Sequence, residues 1–264
     1  MREDDPVPTE RTSSGDPART LQLLWRDAPA APDRRRGPRR GLSIDAVIDA
    51  ATAIADTEGL DALTMRRVAK DLGVVPMTLY TYVPGKAELL DLMLDAAYAR
   101  MPRTDTTGRP WRQRVTALAE ENKALFARHP WAATVSTARP PLGPGQMAKY
   151  EHELSALDGL GLTDVEMDDC LAHLLAFVQA SARAAADARA ARHDSPMNDQ
   201  EWWEANAPLL ARVLDEKTYP TAVRVGAAAG AAHGSAYDPD HAYAFGLERV
   251  LDAFAALIDR GTGG

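Results

Sequence analysis

Residues 63–83 read LTMRRVAKDLGVVPMTLYTYV, and this stretch decides the fold. Thr64 can cap a short helix whose inner face carries Val68, Ala69 and Leu72, and Gly73 breaks it. Pro76 opens a second short helix over Pro76–Tyr82, because a proline in the first turn has no needed N–H to lose. Val68, Ala69, Leu72, Val74 and Leu79 would lock the two helices at a steep angle. Met77, Thr78, Thr81 and Tyr82 are then left on the outer side of the second helix. A helix of this width fits a DNA major groove. An ordinary helical hairpin has the same spacing, so spacing alone leaves both readings open.

Working outward, Ser43 caps a helix with Ile44, Val47, Ile48, Ala51, Ile54 and Ala55 on one apolar stripe, and Gly59 ends it. Pro84-Gly85 stops the second short helix, and a fourth helix is expected over Lys86–Arg100. Upstream, residues 1–33 are rich in Pro, Asp, Ser and Thr and read as mostly unstructured. Leu21–Trp25 is the exception, either a short docked helix or an apolar island in a mobile tail. Arg34–Gly41 holds five arginines interrupted by Gly and Pro. It is either a solvated charge run or an arm whose Arg39 and Arg40 touch phosphate or a minor groove.

Downstream of a linker at 101–110, the pattern is helical almost throughout. Helices are expected at Trp111–Arg128 (stopped near Pro130), 146–160, 163–192, 199–215 and 240–260. Residues 138–145 read as a stiff loop and 226–240, rich in Gly and Ala, as a mobile one. The expectation is an all-α chain. It divides into an unstructured extension with a basic arm (1–41), a helix-turn-helix domain (42–100) and a helical effector-binding and dimerisation domain (101–264).

Residues 42–94 resemble the DNA-binding domain of the TetR (tetracycline-repressor) family. The likeness rests on Glu58-Gly59, Leu63-Thr64-Met65-Arg66, Val68-Ala69, Leu72-Gly73-Val74, Thr78–Val83, Lys86 and Leu89-Leu90. The resemblance implies that Thr64 caps the second helix and bonds phosphate. It implies that Arg66 projects toward a base edge, and that Pro76, Met77, Thr78, Thr81 and Tyr82 enter the groove. Tyr80 would lie against the backbone and Lys86 on a phosphate, helped by the dipole of its helix. Pro76 departs from the tetracycline repressor, which has Gln there, and Pro cannot contact adenine in bidentate fashion. The operator sequence therefore does not carry over.

The C-terminal half resembles the tetracycline-repressor-like branch through Trp111, His129-Pro130-Trp131, Ala138–Pro144 and Phe245–Leu251. In that family this half binds a small molecule and dimerises through its last long helices. The resemblance implies an effector pocket, mostly apolar, for which Arg139, Pro140, Met147, Trp111, Phe126, Trp131, Leu171, Leu174, Phe177 and Val178 are the candidates, with Arg139 as polar anchor or merely bonded within its own loop. Two apolar stripes suit a four-helix dimer interface: Leu171, Leu174, Leu175, Val178, Ala182 and Ala185, then Leu247, Val250, Leu251, Phe254, Leu257 and Ile258. Leu175, Ala182 and the second stripe are the interface candidates; the alternative is that both stripes are core. The tetracycline repressor's magnesium-binding His, close before its Arg-Pro, has no counterpart in Thr134–Pro140. No metal or cofactor is expected, and His173 reads as a core or pocket histidine.

Composition agrees. The net charge of −8 is uneven: residues 34–100 carry ten Arg/Lys against nine Asp/Glu, residues 101–264 sixteen against twenty-two. A local basic face can bind phosphate on an acidic protein. One cysteine, no secretory signal and no run near the ~20 apolar residues of a membrane span favour the cytoplasm. The reading is a homodimeric regulator, a repressor released from palindromic double-stranded operator DNA by a small molecule. A DNA-binding protein without effector and an all-α enzyme are the alternatives. No nucleophile–base pair or phosphate loop supports the enzyme.

Overall fold

The computed structural model describes residues 11–27, 42–135, 137, 139–233 and 238–262, and these are helical with no strand. Ser43 accepts from the Ala46 N–H and starts α2 (Ile44–Glu58), which buries Val47, Ile48, Ala51, Ile54 and Ala55. Thr64 accepts from the Arg67 N–H and starts α3 (Met65–Asp71). Gly73, at φ +67°, makes the turn into α4 (Pro76–Tyr80). A side chain there would be strained in the left-handed region. The second helix is thus shorter than the expected Pro76–Tyr82.

Helix α5 (Lys86–Ala99) is the common wall of the molecule. Residues 88–95 are all buried. One side meets α2; another meets α8 (Pro144–Ser155). Gly145 allows that second contact: a Cβ on it would lie 2.0 Å from the Asp95 carbonyl oxygen. Helix α8 begins and ends earlier than the expected 146–160.

The body is built on α6 (Trp111–Arg128), α9 (Asp164–Asp194) and α12 (Pro239–Thr262), which pack on one another. A reciprocal cap between Thr163 and Glu166 starts α9. Its 31 residues give it a length of about 45 Å. Pro130 does more than stop α6: it opens α7 (Pro130–Thr134), packed on α9. Helices α10 (Asp199–Val213) and α11 (Pro220–His233) follow. Part of the expected 226–240 loop is therefore helix, since Ala at most positions outweighs Gly226 and Gly230.

The N-terminal expectation needs a larger correction. Residues 11–27 fold onto the protein instead of trailing, and α1 (Pro17–Leu24) is capped by Asp16, which accepts from the Arg19 N–H. Leu23 and Leu24 are buried in the shared core. The arginine arm, with Arg39 and Arg40, lies outside the described residues.

Candidate DNA-reading face and effector domain

The head places its candidates on one surface. Thr64, Arg66, Pro76, Met77, Tyr80 and Thr81 are exposed, Thr78 and Tyr82 half-buried. Met77 is 74% exposed and its neighbour Val75 65%, while Leu79 behind them is fully buried. Two apolar side chains held in water beside polar ones suit a partner that offers both methyl groups and hydrogen-bonding edges. Val75, absent from the candidate contacts, sits exposed at the N-cap of α4 on the same surface. Arg67 is held by Glu58 at 2.7 Å, whereas Arg66 has no ion pair among the described residues. Tyr82 packs on the core, so its ring supports α4 as much as it faces out. Lys86 donates to the Leu60 carbonyl at 3.2 Å, which fixes its stem at the start of α5.

Head and body are tied at Asp56 of α2. Its carboxylate lies 2.8 Å from His129 Nδ1 and accepts from Trp131 Nε1 at 2.7 Å. The same α7 presents its Ala133 carbonyl to Gln179, at 2.9 Å, and to Arg183 of α9. A continuous set of hydrogen bonds therefore runs from α9 through α7 to the head. Trp131, expected in a pocket, is a strut in that set.

The other effector candidates divide. Leu171, Leu174 and Val178 of α9 and Phe126 of α6 are buried in the core, and Phe177 stacks on Tyr243 at 5.7 Å. Trp111 is half-buried under Arg112. Arg139, Pro140 and Met147 are exposed, away from that core. His173 is exposed on α9 as well, contrary to the sequence expectation.

The buried polar chemistry of the body lies instead between α6 and α8. Lys149 Nζ donates to Glu153 at 2.6 Å, and Asn122 Nδ2 donates to the same carboxylate at 2.7 Å. Glu121 lies 2.8 Å from His152 Nε2 and accepts from the Thr104 N–H. Burial pushes the Lys149 amine down, opposed by Glu153, and pushes the Tyr98 phenol beside it up. Sequence reading missed this group; the signal was the Lys149/Glu153 pair one turn apart, which looks like any surface helix pair.

Most of the candidate dimer stripe is claimed by the core of the single chain. Leu247, Val250, Leu251, Phe254 and Ile258 are buried within one chain, and Leu175, Ala182 and Leu257 are half-buried, all but Ile258 joined to the shared core. The α12 residues lie on the helix that packs on α9 and α6, and Leu175 and Ala182 lie on α9. Among the residues exposed on α9 are Ala172, Ala176 and Ala180, with His173 between them, and on α12 Ala253 and Ala256, with Phe245 further up the helix.

Among the described residues no group of three or more His, Cys, Asp or Glu is placed to hold a metal. None of their helices is long and apolar enough to cross a membrane.

An exposed reading helix on a tight helical turn, joined by one shared helix to a separate all-helical body, is the architecture of a helix-turn-helix regulator. Residues 47–93 match the family described as bacterial regulatory proteins, tetR family, and residues 102–258 match the tetracyclin repressor-like C-terminal domain. The chain belongs to the TetR family and is a DNA-binding transcriptional regulator. It is 41% identical to the HTH-type transcriptional repressor DrrR1 of Streptomyces coeruleorubidus, over 95% of this chain and 90% of that one. It is similar in structure to apo ActR of Streptomyces coelicolor, with TM-score 0.65, 27% identity, and 83% and 97% of the two chains covered. The ActR complex with actinorhodin aligns at TM-score 0.64 with the same identity and coverage.

Proposed function

We propose that the chain is a homodimeric repressor that grips a palindromic operator and lets go when a small, mostly apolar molecule enters the body. The observation that carries this is the α9–α7–Asp56 chain of bonds, together with the shared helix α5, linking the body's interior to the reading head. Two heads related by a two-fold axis grip half-sites about 34–36 Å apart. A small change in head separation is then enough to lose the fit. Thr64 and Lys86 bind phosphate in this reading, and Arg66, Pro76, Met77, Thr78, Thr81 and Tyr82 approach bases, with Tyr80 on the backbone. Arg39 and Arg40 add sequence-independent affinity.

Leu171, Leu174, Phe177, Val178 and Phe126 form the apolar side of the effector site. Lys149, Glu153 and Asn122 replace Arg139 as the polar anchors, because only buried polar groups orient a ligand strongly. The exposed alanine faces of α9 and α12 are the dimer seam in place of the buried leucines. Exposed Trp202, Leu209 and Leu210 on α10 support a second subunit that covers them. The proposal gives the chain no catalytic role and no metal.

Actinorhodin, the ligand in the ActR complex, is the first probe. It is titrated into the chain bound to an operator selected from genomic fragments, with and without chelator. Release in both arms is expected. Release only with magnesium contradicts the metal-free reading, and chemical turnover of the probe contradicts the non-enzymatic one. If actinorhodin does nothing, other apolar aromatic molecules are screened against the same complex. An effector that binds free and DNA-bound protein equally well contradicts the gating, since linkage requires a difference.

A further inference from the structure

We propose that residues 11–27 form an intramolecular latch that holds the reading head in its DNA-gripping position against the body, and that its grip on loop 139–142 lets the body release it. The proposal rests on the repressor reading above and adds a control element to it.

The latch touches three separate parts of the protein. On α5, the Ser13 N–H donates to Asp91 Oδ1 at 2.8 Å and the Asp16 N–H donates to Glu88 Oε1 at 3.3 Å. On the body, Thr12 Oγ1 donates to the Arg139 carbonyl, Ser13 Oγ to the Pro140 carbonyl at 3.3 Å, and Trp25 Nε1 to the Leu142 carbonyl at 2.7 Å. On the head, Arg26 pairs with Asp45 in the first turn of α2. The absence of a side chain at position 15 leaves room for the Glu88 carboxylate: a Cβ there would lie 2.3 Å from Glu88 Oε1 and would force that carboxylate to shift. Movement of loop 139–142 therefore withdraws three acceptors at once from a segment that also grips the head.

The seat is also easy to leave. The helix of the latch has only eight residues, too few to be stable alone. A cleft of about 70 Å³ remains between it and Leu142, lined by Ser13, Gly15, Pro17, Thr20, Leu21 and Leu24. Beneath it, Asp91 Oδ2 is buried with no hydrogen-bond partner among the described residues. A buried half-satisfied carboxylate lowers the cost of letting the segment go. Exposed Arg139 acquires a role here through its backbone carbonyl, not its guanidinium.

Two full-length variants test the latch. Trp25→Phe keeps an aromatic ring and deletes the N–H donated to Leu142; Gly15→Ala crowds the Glu88 carboxylate that accepts from the Asp16 N–H. Both leave every residue of the reading face in place, and folding is checked by circular dichroism and melting. Expected is operator affinity weaker by about fivefold for Trp25→Phe and more for Gly15→Ala. In the wild type, by reciprocity, operator DNA slows hydrogen exchange at the Ser13 and Asp16 amides. Folded variants that bind operator within twofold of wild type, or amide exchange unchanged by operator, overturn the latch. A wild-type chain that retains no genomic fragment overturns the repressor reading and the latch with it; a chain that retains DNA while both variants match it overturns the latch alone.

Discussion

The head and the body treat polar groups in opposite ways. Among the described residues, the head leaves Arg66 without an ion pair and Met77 in water, above a core of Val68, Ala69 and Leu79 that is fully buried. The body buries Lys149 at 5% exposure and Glu153 at 1%, and satisfies each with the other. The difference separates two kinds of recognition. An unpaired surface group costs little while it waits for an external partner. A buried pair is costly to split and becomes available only to a molecule that enters and offers equal bonds. In the proposed reading the head is ready as it stands, and the body's buried pair is the store of interactions that a ligand redirects.

The largest effect should follow from breaking the body's pair. Lys149→Met leaves Glu153 buried without its cation and should cost about 3–5 kcal/mol of stability, seen as a large fall in Tm. The double variant Lys149→Met, Glu153→Leu should recover most of the loss. If the single variant melts like wild type, the pair is not buried in solution and the contrast with the head disappears.

Cutting the tie between the two regions should come next. Asp56→Ala removes the acceptor of Trp131 and the partner of His129, both in the interface of α2 and α7. A loss of about 2 kcal/mol in chemical unfolding is expected. Operator affinity should fall further than stability alone predicts, because head placement loosens. An unchanged operator affinity would leave Asp56 a local brace only.

The smallest effect concerns pH. Burial and the neighbouring charge of Glu88 raise Asp91 to about 6, against a lowering by the Ser13 N–H. Its neutral form is the one favoured in the fold. Its contribution is full below the ordinary value of 3.8 and is lost as pH rises through about 6. Asp95, one turn on, is raised by burial too, offset by Gln146, Gly145 and Arg26. Wild type should therefore be more stable relative to Asp91→Asn at pH 5 than at pH 7.5, by melting in each buffer. No difference between the two pH values would mean that Asp91 is well solvated and the latch lifts freely; the opposite order would mean that the fold favours its ionised form.

The same contrast explains what could be read from the chain. In the head, single residues dictate backbone geometry: Ser43, Thr64, Gly73 and Pro76 each mark a boundary the structure keeps, and the outer face follows by elimination. In the body, periodicity located α6 to the residue and α9 within two residues at its far end, but could not say which neighbour a stripe meets. Leu247, Val250 and Leu251 would look the same facing α6 or facing a partner. Lys149 and Glu153 would look the same in water. The latch was hidden for a different reason: Thr12, Ser13 and Asp16 bond through groups that every polar tail contains, and only the distant carboxylates of Glu88 and Asp91 give them order.

Selection of operators from genomic fragments, run side by side with wild type and Arg66→Ala, tests the central claim most directly. Wild type should enrich a palindrome-like site with half-site centres about 34–36 Å apart. Arg66→Ala should bind that site about 1–3 kcal/mol more weakly and relax the preference at one position in each half. Enrichment of fragments without a dyad, or a loss equal on every sequence, would contradict a reading face built on residues 64–82.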